Sequence, residues 1–196
     1  MIIIPSHVSR INTWLKDCLT SLDTKHPITV VFQGNAPLKM LPYTTDLNIT
    51  LTHSPHDGFD PGGIVWAREH CKDPAFFLLH DSCVIKDNAL FDICFTRFSS
   101  ESVALADRPV PFGMFLGKYK TRLVKDMLPP IATSKLHAVE LEETWNNAYC
   151  ILDQPVILTP PLRDNDVFEE KYGRKNMVLE NPWVIKYKGT WNRNML

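Results

Sequence analysis

A chain of 196 residues is long enough for one well-buried domain and short for two. Its formal net charge of -1, from 21 Lys and Arg against 22 Asp and Glu, excludes a global basic field for nucleic acid or an anionic membrane. The five cysteines are widely spaced with no C-x-x-C pair, which excludes a disulfide framework or zinc ribbon and predicts a reducing compartment. The opening apolar run, Met1 to Ile4, stops at Pro5, too short for a signal peptide's core or a membrane span, so a cytoplasmic protein without a membrane span is expected.

In chain order, Ile2 to Ile4 read as a short buried strand ended by Pro5 and Ser6. Ile11, Trp14, Leu15, Cys18, Leu19 and Leu22 then recur at the spacing of one helical face, with Ser9 as the expected N-cap. Residues 28–32 (ITVVF) are a second strand ending at Gln33-Gly34-Asn35, and strand, helix, strand is a right-handed parallel unit by default. Residues 48–52 (NITLT) give a third strand. The loop 54–63 (SPHDGFDPGG) has the Asp, Pro and Gly content that permits close backbone approach to a ligand. Ile64, Ala67 and Cys71 share a helical face stopped by Asp73-Pro74, and a strand from Ala75 to Leu79 follows. Asp87 is placed to cap a helix that buries Leu90, Phe91, Cys94, Phe95 and Phe98.

The second half is less regular. Val103 to Leu105 read as a strand, Gly113 to Gly117 as a loop, Tyr119 to Met127 as a short helix, and Pro129-Pro130 as a break. HAVELEETWNNAY (137–149) reads as a helix with Glu140, Glu142 and Glu143 near its start, where acids suit the dipole, and residues 156–158 as a strand. From Pro160 on, charge mixed with Phe168, Tyr172, Trp183, Tyr187 and Trp191 predicts a segment wrapped over the domain. The expectation is a single Rossmann-like α/β domain: a mixed, mostly parallel central sheet flanked by helices, with an irregular C-terminal extension. Residues 1–98 and 99–160 form its halves and 161–196 the extension.

The stretch FFLLHDSCVIKD (76–87) raises the functional question. Four bulky apolar residues bounded by polar ones fit a strand buried on both faces, and in open α/β sheets ligands gather beyond the carboxyl ends of such strands. Asp81 is therefore a candidate site residue, against the alternative of a carboxylate accepting backbone N–H groups at a turn.

The ordered set of segments resembles the GT-A-fold glycosyltransferases, above all the inverting family two. IIIPSHVSRINTWLKDCLTSL is similar to that family's opening strand and helix, ITVVFQGN to its second strand, and HDGFDPGGIVWAREH to its Gly-rich loop and helix. FFLLHDSCVIKD falls where the family carries Asp-x-Asp, and HAVELEETW where it carries an acidic pair. The resemblance implies transfer of a sugar from a nucleoside-diphosphate sugar, UDP favoured, to an acceptor hydroxyl with inversion. The acceptor would be a glycan, a lipid-linked sugar, a protein or a modified nucleic-acid base.

It also implies Mn²⁺ or Mg²⁺ at Asp81, with His80 or Ser82 as further ligands. Cys83 stands where a second carboxylate belongs, so a basic side chain is the alternative to the metal. Pro5, Ser6, His7, Arg10 and Gln33 are implied to border base and ribose, with His56, Asp57, Gly58 and Asp60 beside them. Glu143 is implied as the general base, Glu142 as its alternate and Glu140 as a distant third; Lys186, Lys188 and Trp191 are implied to close over the phosphates. Trp145 is implied to stack on a sugar ring, and each reading has a structural rival: a solvated helix residue for Arg10, a self-bonded turn for His56 and Asp57, dipole-favoured acids for the glutamates, core packing for Trp145. A sugar-nucleotide nucleotidyltransferase is a second enzyme reading, although IIIPSHVSR lacks the Gly-rich basic loop it calls for. The missing second Asp favours a third, a non-catalytic binding module.

Overall fold

The computed structural model describes residues 1–34, 41, 43, 46–54, 59–106, 116–133 and 135–189. The elements are β1 (Ile2–His7), α1 (Trp14–Thr20), β2 (Ile28–Gln33), β3 (Ile49–His53), α2 (Phe59–His70), β4 (Ala75–Leu78), β5 (Cys83–Ile85) and α3 (Ala89–Asp92). Then come β6 (Val103–Ala106), β7 (Gly117–Lys120), α4 (Thr121–Asp126), α5 (Lys135–Asp153), β8 (Val156–Lys171), β9 (Arg174–Glu180) and β10 (Val184–Gly189).

These strands form one curled sheet in the order β3-β2-β1-β4-β7-β6-β8-β9-β10-β5. Parallel pairing is confined to β3-β2-β1-β4 and to β6–β8; β7 runs antiparallel to both β4 and β6, and β8, β9, β10 and β5 pair antiparallel. The expected mostly parallel sheet is therefore corrected: its first half is parallel and its second half largely antiparallel.

Period-two alternation along the central strands explains the layering. Ile2, Ile4, Phe77 and Leu79 belong to one buried cluster with Leu15, Cys18 and Leu19 of α1 and Leu90 and Phe91 of α3. Ile3, Phe76 and Leu78 belong to another with Ile64 and Ala67 of α2 and with Tyr119, Trp145 and Tyr149. The apolar run FFLL is thus buried on both faces, as its composition requires.

Three expectations change. Ser9 does not cap α1: its hydroxyl bonds the His7 ring within a 3-10 turn, Val8–Arg10, and α1 starts only at Trp14. Tyr119 is a strand residue, because its ring stacks on Phe76 at 5.4 Å while the ammonium of the adjacent Lys118 turns the other way to cap the Phe98 and Ser99 carbonyls. The extension is not irregular. Charged strands β8 and β9 form a hairpin through Tyr172 and Gly173, both at positive φ, with Glu170 opposite Lys175. Among the described residues, no helix is long and apolar enough to cross a membrane.

Candidate functional site

The chain runs from β1 outward to β2 and β3, then returns to the other side of β1 as β4. Strand order reverses between β1 and β4, and the crevice beyond their carboxyl ends is where open α/β sheets bind ligands. Ser6 and His7 close β1 at that edge, and His80 and Asp81 follow β4.

Asp81 is only 1% exposed, and both its oxygens go to side chains. Ser6 Oγ donates to Oδ2 at 2.7 Å, and Arg10 Nη1 donates to Oδ1 at 2.6 Å. Asp81 is therefore not a turn carboxylate serving backbone N–H groups. Arg10 reaches it because His7 Nδ1 accepts from the Ser9 amide and closes the 3-10 turn that carries the guanidinium back over the strand end. Arg10 itself stays 36% exposed, so the ion pair has one dry partner and one wet one.

Burial pushes the Asp81 carboxyl above its ordinary value; Arg10 opposes this, and nearby Asp60 reinforces it. Burial tends to lower Arg10, but the charges of Asp81 and then Asp60 outweigh it and hold the guanidinium above its ordinary value. Arg10 is a fixed cation here.

A second cation arrives from the far end of the chain. β10 pairs with β5 so that Lys186 lies opposite Cys83, and the Tyr187 amide donates to the Ser82 carbonyl at 2.9 Å. Lys186 is 5% exposed, with Nζ 2.8 Å from His80 Nδ1. An ammonium only donates, so Nδ1 is the acceptor in this bond. Asp60 Oδ2 stands 3.4 Å from the same Nδ1. Asp60 sits in the first turn of α2, a helix drawn so close to the sheet that a Cβ on Gly63 would meet Leu78 Cδ1 at 3.0 Å and Pro5 Cγ at 3.1 Å. Burial pushes the Cys83 thiol up to about 12, against the pull of Lys186.

No family model and no curated protein matches the chain. Solved structures do. S. aureus TarS 1-349 aligns with 81% of this chain and 57% of its own at a TM-score of 0.54 and 16% identity. Its complex with UDP gives a TM-score of 0.53 at 13% identity over the same shares. An active-site mutant of LgtC gives 0.52 at 12% identity, over 80% of this chain and 71% of its own. TarS and LgtC are glycosyltransferases. The chain has a glycosyltransferase fold. At these identities the likeness is one of fold, and the chain spans little more than half the length of the TarS 1-349 chains it matches.

The Mn²⁺ or Mg²⁺ that the resemblance implies finds a poor set of ligands around Asp81. Such ions take several oxygen ligands at once. Here one Asp81 oxygen holds a guanidinium and the other a hydroxyl, and His80 Nδ1 faces an ammonium. Cys83 keeps its proton at neutral pH. Among the described residues, no group of three or more His, Cys, Asp or Glu side chains is placed to hold a metal.

Six of the residues singled out from sequence thus meet at one place: Ser6, Arg10, Asp60, His80, Asp81 and Lys186. Pro5 is buried within β1, Gln33 is buried where β2 ends beside His7, and Ser82 and Lys188 are half-buried. His56, Asp57, Gly58 and Trp191 lie outside the described residues, as does the side chain of Glu143. Glu140, Glu142 and Glu143 are not in the first turn of α5, which starts at Lys135, so the dipole does not explain them. Glu142 is on the buried face of α5 with Trp145, Asn146 and Tyr149, and its charge adds to the burial that raises the Tyr119 hydroxyl. Trp145 is a core residue: its Nε1 donates to the Leu128 carbonyl and its ring stacks on Tyr149.

One group went unread in the sequence. Trp14 at the start of α1 meets Tyr172 and Tyr187, and Lys171 reaches over the Tyr187 ring while bonding Asp17 at 2.7 Å. This cluster ties the β8–β9 turn to α1 and so braces the strands that deliver Lys186. The aromatic-rich tail was the available signal, but its partner on α1 was set only by folding.

Proposed function

We propose that the protein transfers a sugar from a nucleoside-diphosphate sugar, UDP-linked by preference, to an acceptor hydroxyl with inversion at the sugar carbon. The observation that carries this reading is the pair of cationic side chains, Arg10 and Lys186, gathered at the strand-order reversal of a glycosyltransferase fold. The UDP complex among the similar TarS structures favours a UDP-linked substrate.

In the reaction the acceptor oxygen forms a bond to the anomeric carbon as that carbon's bond to the diphosphate oxygen breaks. The bonding electrons leave with the diphosphate, and the hydroxyl proton passes to a base. Cations at the diphosphate stabilise the charge that develops there. Ser6, His7 and Gln33 border the nucleotide in this reading, and His56, Asp57, Gly58, Lys188 and Trp191 are assigned to the same crevice on the resemblance. No step is assigned to a divalent ion. The acceptor is a glycan, a lipid-linked sugar, a protein or a modified base. Because Glu142 is buried against the Tyr119 layer, Glu143 is the proposed base.

A thermal-shift panel of UDP, GDP, CDP and dTDP tests the reading. A nucleotide at a hundredfold excess over its Kd adds about 2.7 kcal/mol, a rise of roughly 5–10 °C for a chain of this size. No rise with any of the four would remove the nucleotide-sugar reading. Glu143→Gln is expected to lower the transfer rate by about a hundredfold or more with UDP affinity unchanged. An undiminished rate in that variant would move the base elsewhere.

A further inference from the structure

We infer that Arg10, oriented by the buried Asp81–Ser6 pair and joined by Lys186, is the cation that receives the substrate's diphosphate, so that nucleotide binding here needs no divalent ion. The inference rests on the nucleotide-sugar reading above and deepens it. In this arrangement Asp81 is a positioning residue for Arg10 and not a metal ligand.

The argument begins at position 83. The resembled motif calls for a carboxylate there, and this chain has a cysteine. The antiparallel register puts Lys186 directly opposite that position, and residues so paired project to the same face. With the cysteine there instead, β10 brings a cation to the position where the resembled motif has an anion, and Asp60, 3.4 Å from the same His80 nitrogen, is a carboxylate nearby. The Lys186 bond to His80 Nδ1 orients the ammonium.

Arg10 completes the site from the other side. Its guanidinium is a rigid planar fork with five N–H groups. The 2.6 Å bond from Nη1 to Asp81 fixes one edge of that fork against a buried carboxylate, while a side chain 36% exposed still fronts the crevice. Ser6 holds the second Asp81 oxygen, so the carboxylate cannot swing away. A guanidinium fixed in this way suits bidentate pairing with a phosphate, and such charge-assisted bonds are the strong ones. Asp81 is 1% exposed beneath these partners, so a divalent ion reaches it only if Arg10 or Ser6 moves aside.

Calorimetric titration of the full chain with UDP, GDP, CDP and dTDP, in EDTA and again with excess Mn²⁺, tests this. The expected result is the same affinity in both conditions for the nucleotide that binds. Arg10→Ala made together with Asp81→Asn, which leaves no stranded charge, and Lys186→Met are each expected to weaken binding about tenfold or more. Asp81→Asn alone is expected to weaken binding in the native background and to add nothing once Arg10 is Ala, a coupling that general loss of structure does not produce. A tenfold or greater gain in affinity with Mn²⁺ would overturn the inference and leave the glycosyltransferase reading standing. So would unchanged affinity in both cation variants. No binding of any of the four nucleotides in either condition would overturn both.

Discussion

Arg10→Ala is expected to lower the unfolding free energy at pH 7 by about 3–5 kcal/mol, read from urea denaturation, because it leaves the dry Asp81 carboxylate without its cation. The reverse change, Asp81→Ala, is expected to cost less: a stranded Arg10 is 36% exposed and turns to water, whereas a stranded Asp81 is 1% exposed and does not. The loss has a pH signature. Asp81 already sits above its ordinary value of 3.8 through burial, with Arg10 as the main opposing influence, so removing Arg10 drives it further up. A carboxyl raised in the folded state contributes stability that is complete below its unfolded pKa and is lost as pH rises through the folded one. The deficit of Arg10→Ala is therefore smallest near pH 4 and grows toward pH 7. Adding Asp81→Asn is expected to recover most of it. A deficit that does not change with pH would show that Asp81 carries no charge to be stranded.

The second large effect is expected at β7, beside the end of β4. Gly117→Ala is expected to destabilise the protein by about 4 kcal/mol or more, a fall in melting temperature near 10 °C. Gly117 has φ of +154°, and a Cβ built there falls 1.8 Å from the Val103 carbonyl oxygen. The obstacle is backbone, so no rotamer change relieves it, and the β6–β7 pairing must open. β7 is the strand that joins the parallel β4 edge to β6 and the rest of the sheet. A change in melting temperature of less than a degree or two would mean that the strands separate at little cost.

Most of the first half was legible in the sequence because its signals are local. A run such as FFLL has one low-energy use, a strand buried on both faces, and Ile64, Ala67 and Cys71 at helical spacing have one buried face. The second half was harder. Tyr119 and Leu123 carry a spacing that fits a helix, but pairing of β7 with β4 and β6 made Tyr119 a strand residue. The hairpin of β8 and β9 is charged beside its turn, at Glu169 to Lys171 and Arg174 to Lys175, where strand preference comes from cross-strand partners such as Glu170 and Lys175 and not from the side chains themselves.

The candidate site divides along the same line. The sequence by itself determined that Asp81 follows a buried strand, that Ser6 and Arg10 follow another, and that position 83 lacks the expected acid. It did not determine what Asp81 binds. Arg10 lies 71 positions from Asp81, and Lys186 lies 106 from His80, so neither pairing leaves a mark in local spacing. Only the tertiary structure decided them, because strand order brings β1 beside β4 and β10 beside β5. Those adjacencies depend on the whole curled sheet, which puts a guanidinium on Asp81 and an ammonium on its neighbour His80, where the sequence had suggested a metal.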